Sequence, residues 1–437
     1  MREHNDPNYT PPLARAIPLG LQHVLAMFAS NVTPSIIIAG VAGLAGGDKV
    51  YLIQMAMLFS GVATLMQTIG MGRVGARLPI MQGTSFAFVP IMIPVAKSAG
   101  MAAVLGGALI GGIFHFILGT FIGKLRRFLP PLVTGIVVLT IGLALIPIGI
   151  KYAAGGVWLM NNKPEFFGGL NHWGLALLVV FVTLGIKFFL RGFLTSAAAL
   201  IGLVVGYLAA IPLGMINFAS VGDATWFAVP RPLYFGFEIN AAAVIGMCLM
   251  SIVSAIETVG DISAITKGGA GREATDKEMS GGTMADGAGT TLAAIFGGLP
   301  NTSFSQNVGL IAMTGVISRH VVTIGGIFLI ACGLIPKIGA VIAAMPQAVL
   351  GGGVIIMFGM VVSAGLRMLA EVKMNRRNMI IIAVSLSFGL GMQAVPEALA
   401  HLNSTLKLLL VSGLLPAATL AVVLNLFLPE EDAATTA

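Results

Sequence analysis

Apolar stretches close to the roughly 20 residues that an α-helix needs to cross a bilayer recur fourteen times in this chain. That recurrence points to one fold class, an all-α polytopic membrane protein. The stretches run over 17–44, 50–71, 79–97, 101–123, 129–150, 173–190, 195–215, 241–263, 281–298, 301–317, 321–342, 346–366, 379–394 and 405–427. Only 9% of the 437 residues are charged and mean hydropathy is +0.96, whereas a soluble chain carries about a quarter charged residues. The third and tenth stretches are interrupted by polar residues, and the third also holds Pro90 and Pro94, which remove backbone donors and bend a helix. Short extended breaks are expected in both.

The net charge of +7 comes from basic residues scattered singly or in pairs between apolar runs, so it marks topology and not a nucleic-acid surface. With the N-terminus inside, seventeen of the 24 Lys and Arg residues fall on the cytoplasmic side, as the positive-inside rule requires. Both termini are therefore expected in the cytoplasm, with an even number of passes. Cys248 and Cys332 lie in apolar runs without ligand spacing and read as structural thiols, so no metal site or disulfide is expected. No signal-peptide pattern follows the polar first sixteen residues, and the first apolar run reads as an uncleaved anchor helix.

The two interrupted stretches are related. Thr84-Ser85-Phe86 recurs as Thr302-Ser303-Phe304, and Pro130, Val133 and Gly135 recur with the same spacing at Pro346, Val349 and Gly351. The two offsets, 218 and 216, are each close to half the chain. Seven passes per copy is odd, so the second copy enters the membrane upside down. In Leu299 to Val316 six polar residues, Asn301, Thr302, Ser303, Ser305, Gln306 and Asn307, fall within seven positions. Backbone of this kind at membrane depth needs a protein-lined cavity. A short helix from near Ser305 would turn free N–H groups and two amides on one spot, which is how a site for a small polar solute is built.

Three acidic residues lie away from loops and segment ends: Glu257, Asp261 and Asp286. A carboxylate at depth costs several kcal/mol or takes up a proton, so its default reading is functional. The alternative is a buried hydrogen-bond anchor or an interhelical ion pair. His23, inside the first helix, is either a satisfied core histidine or a proton relay, and His115, between Phe114 and Phe116, reads as packing. Gln306 and Asn307 offer donors and acceptors suited to a planar heterocycle, or else cap the broken helix. Gly70-Met71-Gly72-Arg73-Val74-Gly75 matches a dinucleotide fingerprint, but it closes a membrane helix instead of joining a strand to a helix. The other glycines, such as Gly107 and Gly111, read as close-packing positions.

Gln306-Asn307-Val308-Gly309, four residues, then Thr314-Gly315 resembles the signature of the nucleobase-ascorbate transporters, also called nucleobase-cation symporter 2. The resemblance extends over Gly20-Leu21-Gln22-His23, Glu257-Thr258-Val259-Gly260-Asp261, Ala285-Asp286-Gly287 and Leu299 to Gly315. It implies two inverted repeats of seven segments, homodimers and proton-coupled uptake. It also implies a core domain (17–127 and 238–343) and a gate domain (128–237 and 344–428), between a 1–16 N-terminal and a 429–437 C-terminal tail. Glu257 resembles the family's substrate-binding carboxylate, Gln306 its second substrate contact, and Asn307 the amide that affects affinity and specificity. Asp286 resembles an essential carboxylate and His23 a site-ordering histidine. Gln306 with Gly315 looks most like bacterial xanthine permeases. Urate carriers share the Gln, whereas uracil carriers have Glu there.

The expected activity is therefore uptake of an oxidised purine, xanthine or urate, with protons, across a bacterial inner membrane, with no enzyme activity and no cofactor beyond the coupling proton. Its site would lie among Ser85, Phe86, Phe304, Ser305, Gln306, Asn307 and Glu257, with Phe86 or Phe304 stacking on the base. Asp286, Glu257, Asp261 and His23 would serve coupling and site ordering. The rivals are a carrier of another nucleobase, an anion carrier of sulfate or bicarbonate type with the same repeat, a passive channel, and an intramembrane aspartyl protease on Asp261 and Asp286. The protease lacks its Gly-x-Gly-Asp phrase, since position 258 is Thr and the four residues ending at Asp286, Thr283-Met284-Ala285-Asp286, contain no glycine.

Overall fold

The chain is described by a computed structural model over residues 6–125 and 130–429. Arg2, Arg126 and Arg127, and the expected domain boundary at 127/128, lie outside the described residues. Counting helices of eight residues or more, the first half contains α1 (Leu13–Val41), α2 (Gly46–Ile69), α3 (Val89–Gly119), α4 (Pro131–Ala153), α5 (Leu170–Phe189) and α6 (Ala198–Ala210). The second half contains α7 (Ala241–Ile265), α8 (Asp276–Ile295), α9 (Ser305–Thr314), α10 (Arg319–Gly333), α11 (Pro336–Ala343), α12 (Gln347–Ala370), α13 (Arg376–Ala394), α14 (Ser404–Val411) and α15 (Leu414–Phe427). Two three-residue strands, β1 (Gln82–Thr84) and β2 (Asn301–Ser303), occupy the expected breaks.

Among the described residues eight helices are long and apolar enough to cross a membrane: α1 to α5, α7, α12 and α13. Two bent pairs, α10 with α11 (80°) and α14 with α15 (83°), raise the number to ten if each is one span. The chain is thus a multi-pass membrane protein. The third and fourth apolar stretches run on as α3, bent at Gly100, whose φ of 78° lies outside the helical region. The ninth stretch begins five residues before its expected start. Thr275 accepts from the Glu278 backbone while the Glu278 carboxylate accepts from Thr275 N, a capping box that starts α8 at Asp276.

Small residues set the packing. A Cβ at Gly107 or Gly111 would lie 2.8 Å from Ala243 or Met247, so α3 lies directly on α7. On its other side Gly112 and Gly119 of α3 meet Thr291 and Met284 of α8. Helices α4 and α12 cross antiparallel, with Gly135 against Leu369 and Gly351 against Ala153. Both pairs of positions, 135 with 351 and 153 with 369, are 216 residues apart, the spacing of the sequence repeat. The duplicated glycines are therefore equivalent points of one helix crossing.

Candidate substrate site between two broken segments

Strands β1 and β2 pair antiparallel, Gln82 with Ser303, Gly83 with Thr302 and Thr84 with Asn301. Two further bonds extend the ladder, from Ser85 N to Pro300 O (2.9 Å) and from Phe304 N to Met81 O (3.0 Å). Unpaired backbone is costly in a membrane, and the flanking helices supply the remaining partners. Thr64 Oγ1 accepts from Gln82 N (2.9 Å), Asn31 Oδ1 from Thr84 N (2.8 Å) and Thr290 Oγ1 from Asn301 N (3.0 Å). Both breaks are fully buried. The close approach requires glycine at position 83, because a Cβ there would lie 2.3 Å from the Phe304 ring and 2.7 Å from Met27.

Around this ladder runs one polar network. Asp286, with no exposed surface, accepts from Gln82 Nε2 (2.6 Å), Gln67 Nε2 (3.0 Å) and the Thr258 hydroxyl. Thr258 Oγ1 also lies 3.2 Å from Ser303 Oγ, and Ser303 donates to Asp261 Oδ2 (2.6 Å). The other Asp261 oxygen accepts from Ser305 (2.7 Å), at the first residue of α9. Hydroxyls therefore link the two carboxylates through β2. All these donors are neutral. Among the described residues the ion pairs are Lys267 with Glu273 and Arg272 with Glu278, so no cation pairs with Glu257, Asp261 or Asp286.

Asn307 is buried and donates to His23 O (2.9 Å), with its Nδ2 3.0 Å from His23 Nδ1, which fastens α9 to α1. If that nitrogen accepts, the ring hydrogen sits on Nε2. Asn307 Oδ1 has no partner among the described residues. Glu257 and Gln306 differ from these groups. Both are half-buried, and neither has a hydrogen-bond or ion-pair partner among the described residues. Glu257 sits one turn before Asp261 on α7, and Gln306 follows Ser305 on α9, so each neighbours one end of the Asp261–Ser305 bond.

The two aromatics diverge. Phe304 is buried among Val24, Met27, Met81, Val322 and Leu329 with its ring edge on Gly83. Phe86 is half-buried and meets Phe358 of α12 edge-on, ring centres 5.6 Å apart. Ser85 is buried, its hydroxyl accepting from Ala87 N (3.2 Å). Sequence reasoning missed the residues that hold the breaks in place: Asn31, Thr64, Gln67, Thr258 and Thr290. The available signal was an amide or hydroxyl at the middle of an apolar run, strongest at Asn31, which is fully buried and also accepts from Ser60 (2.6 Å). His115 is buried and neither ring nitrogen has a partner among the described residues, in keeping with its reading as a packing residue.

Solved structures share the fold at low identity. The transmembrane domain of the cyanobacterial bicarbonate transporter BicA aligns with TM-score 0.59 and 14% identity, covering 94% of this chain and 97% of that one. The murine anion transporter Slc26a9 in its inward-facing state aligns with TM-score 0.64 and 12% identity, covering 96% and 69%. Sequence relatives are closer. They include uric acid permease PucJ (36% identical, 95% of this chain, 92% of the relative) and a xanthine permease (36%, 94% and 93%), both of Bacillus subtilis. Xanthine permease XanQ of Escherichia coli is 35% identical, covering 96% and 92%. A family model described as a permease family matches residues 14–398. The chain is therefore a transporter and not an enzyme, and belongs to the permease family of the nucleobase-ascorbate transporters.

Proposed function

We propose that this protein takes up an oxidised purine nucleobase, xanthine before urate, together with protons across a bacterial inner membrane by alternating access. The observation that carries the reading is the contrast within the polar site. Asp261, Asp286, Ser303 and Ser305 are all hydrogen-bonded, while Glu257 and Gln306 beside them are half-buried and unpaired. A carboxylate that accepts two N–H groups, next to an amide that donates and accepts, matches the alternating N–H and C=O edge of xanthine or urate. Xanthine and urate permeases among the relatives support that substrate class. Phe86 is the favoured stacking partner, with Ser85, Phe304, Ser305 and Asn307 shaping the site. The bicarbonate-type reading shares the fold, but the deep charges here are acidic and none is ion-paired with a cation among the described residues.

The coupling proton would reside on one of Glu257, Asp261 and Asp286, with His23 ordering the site through Asn307. Three uncompensated carboxylates within one site repel a fourth negative charge, and a proton relieves that cost. The proposal includes fourteen segments: the ten spans counted above, α6, α8, the segment of β2 with α9, and the division of α3 at Gly100. They would form two inverted repeats of seven, a core of 17–127 and 238–343, a gate of 128–237 and 344–428, both termini cytoplasmic, and a homodimer.

Competition against radiolabelled xanthine uptake by urate, uracil, guanine and hypoxanthine, with and without a proton gradient, tests the reading. Xanthine and then urate should compete best, and uptake should collapse with the gradient. Glu257→Gln should abolish both uptake and xanthine binding. Full proton-coupled uptake by that variant would refute the central assignment.

A further inference from the structure

At the end of the molecule that carries the N-terminus lies a cavity of about 500 Å³, lined by segments that are far apart in sequence. Residues 6–8 of the tail, the turn after α2 from Gly72 to Leu78, Arg272 and Thr275 ahead of α8, Lys277 and Glu278 in its first turn, and Arg319 at the start of α10 enclose it. It is separate from the β1–β2 site, none of whose residues lines it. Five cationic residues line it, Arg73, Arg77, Arg272, Lys277 and Arg319, against two acidic ones, Asp6 and Glu278. Five against two leaves a balance of +3.

Two of the cations are engaged by short bonds, and Arg77 Nη2 donates to Gly72 O at 3.5 Å. Arg272 is paired with Glu278 at 2.5 Å. Arg319 donates to Thr68 O (2.7 Å) and Asn8 Oδ1 (2.9 Å), while its backbone N–H donates to Pro7 O (2.9 Å), and these bonds tie the tail across the end of α2. Arg73, Arg77 and Lys277 have no carboxylate partner among the described residues. Arg77 is held at φ 56°, in the left-handed region that a non-glycine residue rarely adopts. Its backbone N–H donates to Gln67 O (2.8 Å), and Gly75 N to Gly281 O (2.7 Å), so the wall that carries the arginines is fixed to α2 and α8.

We propose that this cavity is a binding site for a phosphate-bearing anion. Arginine forks match phosphate oxygens in pairs, and unpaired cations in a partly enclosed space concentrate negative charge. The α8 N-terminus is not the binding element, because the Glu278 carboxylate already occupies its first donor. The phosphate has two possible sources, a soluble phosphate compound or the headgroup of an anionic phospholipid, since all five cations belong to the set that the charge count places on the cytoplasmic side. Bound there, it would brace the tail against the loops that lead into β1 and α8.

The test uses the full chain in phosphatidylcholine vesicles, with thermal unfolding followed while inorganic phosphate replaces chloride at constant ionic strength. A saturable rise in Tm is expected for the wild type and for Arg191→Ala, whose charge lies outside the cavity. Arg73→Ala/Arg77→Ala should weaken half-saturation by about tenfold or more, since each charge-assisted bond is worth roughly that factor. Should the double variant fail to fold, Lys277→Gln decides, with an expected loss of about threefold to tenfold. Adding phosphatidylglycerol to the vesicles separates the sources. A Tm already raised and no longer sensitive to phosphate identifies the headgroup, and continued sensitivity identifies a soluble ligand. No saturable shift in either vesicle, or shifts unchanged in the double variant and in Lys277→Gln, would overturn the proposal.

Discussion

Replacing Thr258 by Val tests the polar network at its junction. The hydroxyl is the only group of Thr258 that reaches both Asp286 and Ser303, and Val keeps the β-branched shape while removing it. With Asp286 ionised, Thr258 gives its one hydrogen to that carboxylate, a bond worth about 1.5–3 kcal/mol, and Ser303 gives its own to Asp261, so the contact between the two hydroxyls carries no hydrogen; with Asp286 protonated, the acid can donate to Thr258 and Thr258 to Ser303, two neutral bonds of about 1 kcal/mol each. The loss is then about 1.5–3 kcal/mol in the first case and about 2 kcal/mol in the second. Smaller proteins of 150–250 residues lose roughly 2–4 °C of Tm per kcal/mol, so a fall of at least ~3 °C is expected in detergent-purified protein. The proposed proton-driven xanthine uptake, measured in parallel, should fall about tenfold or more, because the Thr258 hydroxyl holds Asp286 and faces Ser303, which donates to Asp261. Thr258→Ser, which keeps the hydroxyl, should restore most of both. A Val variant with wild-type Tm and uptake would show that the hydroxyl bridge neither holds nor couples these elements.

Other outcomes follow from the same geometry. Gly83→Ala places a methyl 2.3 Å from the Phe304 ring; overpacking of this kind costs about 1–3 kcal/mol, and Phe304→Leu in the same chain should recover part of the lost Tm. Asn31→Leu removes the acceptor shared by Thr84 N and Ser60 Oγ. At about 1–3 kcal/mol per stranded group, it should lower the aggregation temperature in detergent more than Ser30→Ala, whose hydroxyl donates to the Met357 sulfur at 3.0 Å, a weak acceptor. Gln306→Ala should raise the KM for xanthine, the proposed substrate, while leaving Tm unchanged, since its side chain has no hydrogen-bond partner among the described residues; a Tm drop with unchanged KM would make the residue structural.

The breaks were legible because polarity inside an apolar run is rare and because the same phrase occurs twice. Helix α9 begins at Ser305 and both breaks are extended, as the polar stretches led one to expect, and the two pair with each other as β1 and β2. The repeat was less informative about side chains. Thr84-Ser85-Phe86 aligns with Thr302-Ser303-Phe304 at an offset of 218, but the ladder's own twofold relates Gly83 to Thr302, an offset of 219. The two phenylalanines therefore leave the ladder at different points, Phe304 into the wall and Phe86 toward α12. Thr64, Gln67, Thr258 and Thr290 were invisible for another reason. Hydroxyls and amides are common in membrane helices, where they often bond their own backbone, as Thr33 does with Ala29 O (2.7 Å). Only the antiparallel pairing reveals which of them face a strand that needs partners. The early start of α8 went unread because its capping box lies in a charged loop outside the apolar window.

The ladder also constrains the birth of the protein. Gln82 to Thr84 are synthesised more than 200 residues before Asn301 to Ser303, and until the later segment inserts, the backbone of the earlier one lacks its partner in a solvent that offers none. The first half leaving the ribosome is thus an incomplete object in the bilayer. It must wait in the insertion machinery or borrow hydrogen bonds from water drawn into its own cleft. Two half-chains split in the Ala210–Ala241 connection should each be degraded when expressed alone and should rescue one another when made together, because each half holds the other's missing strand.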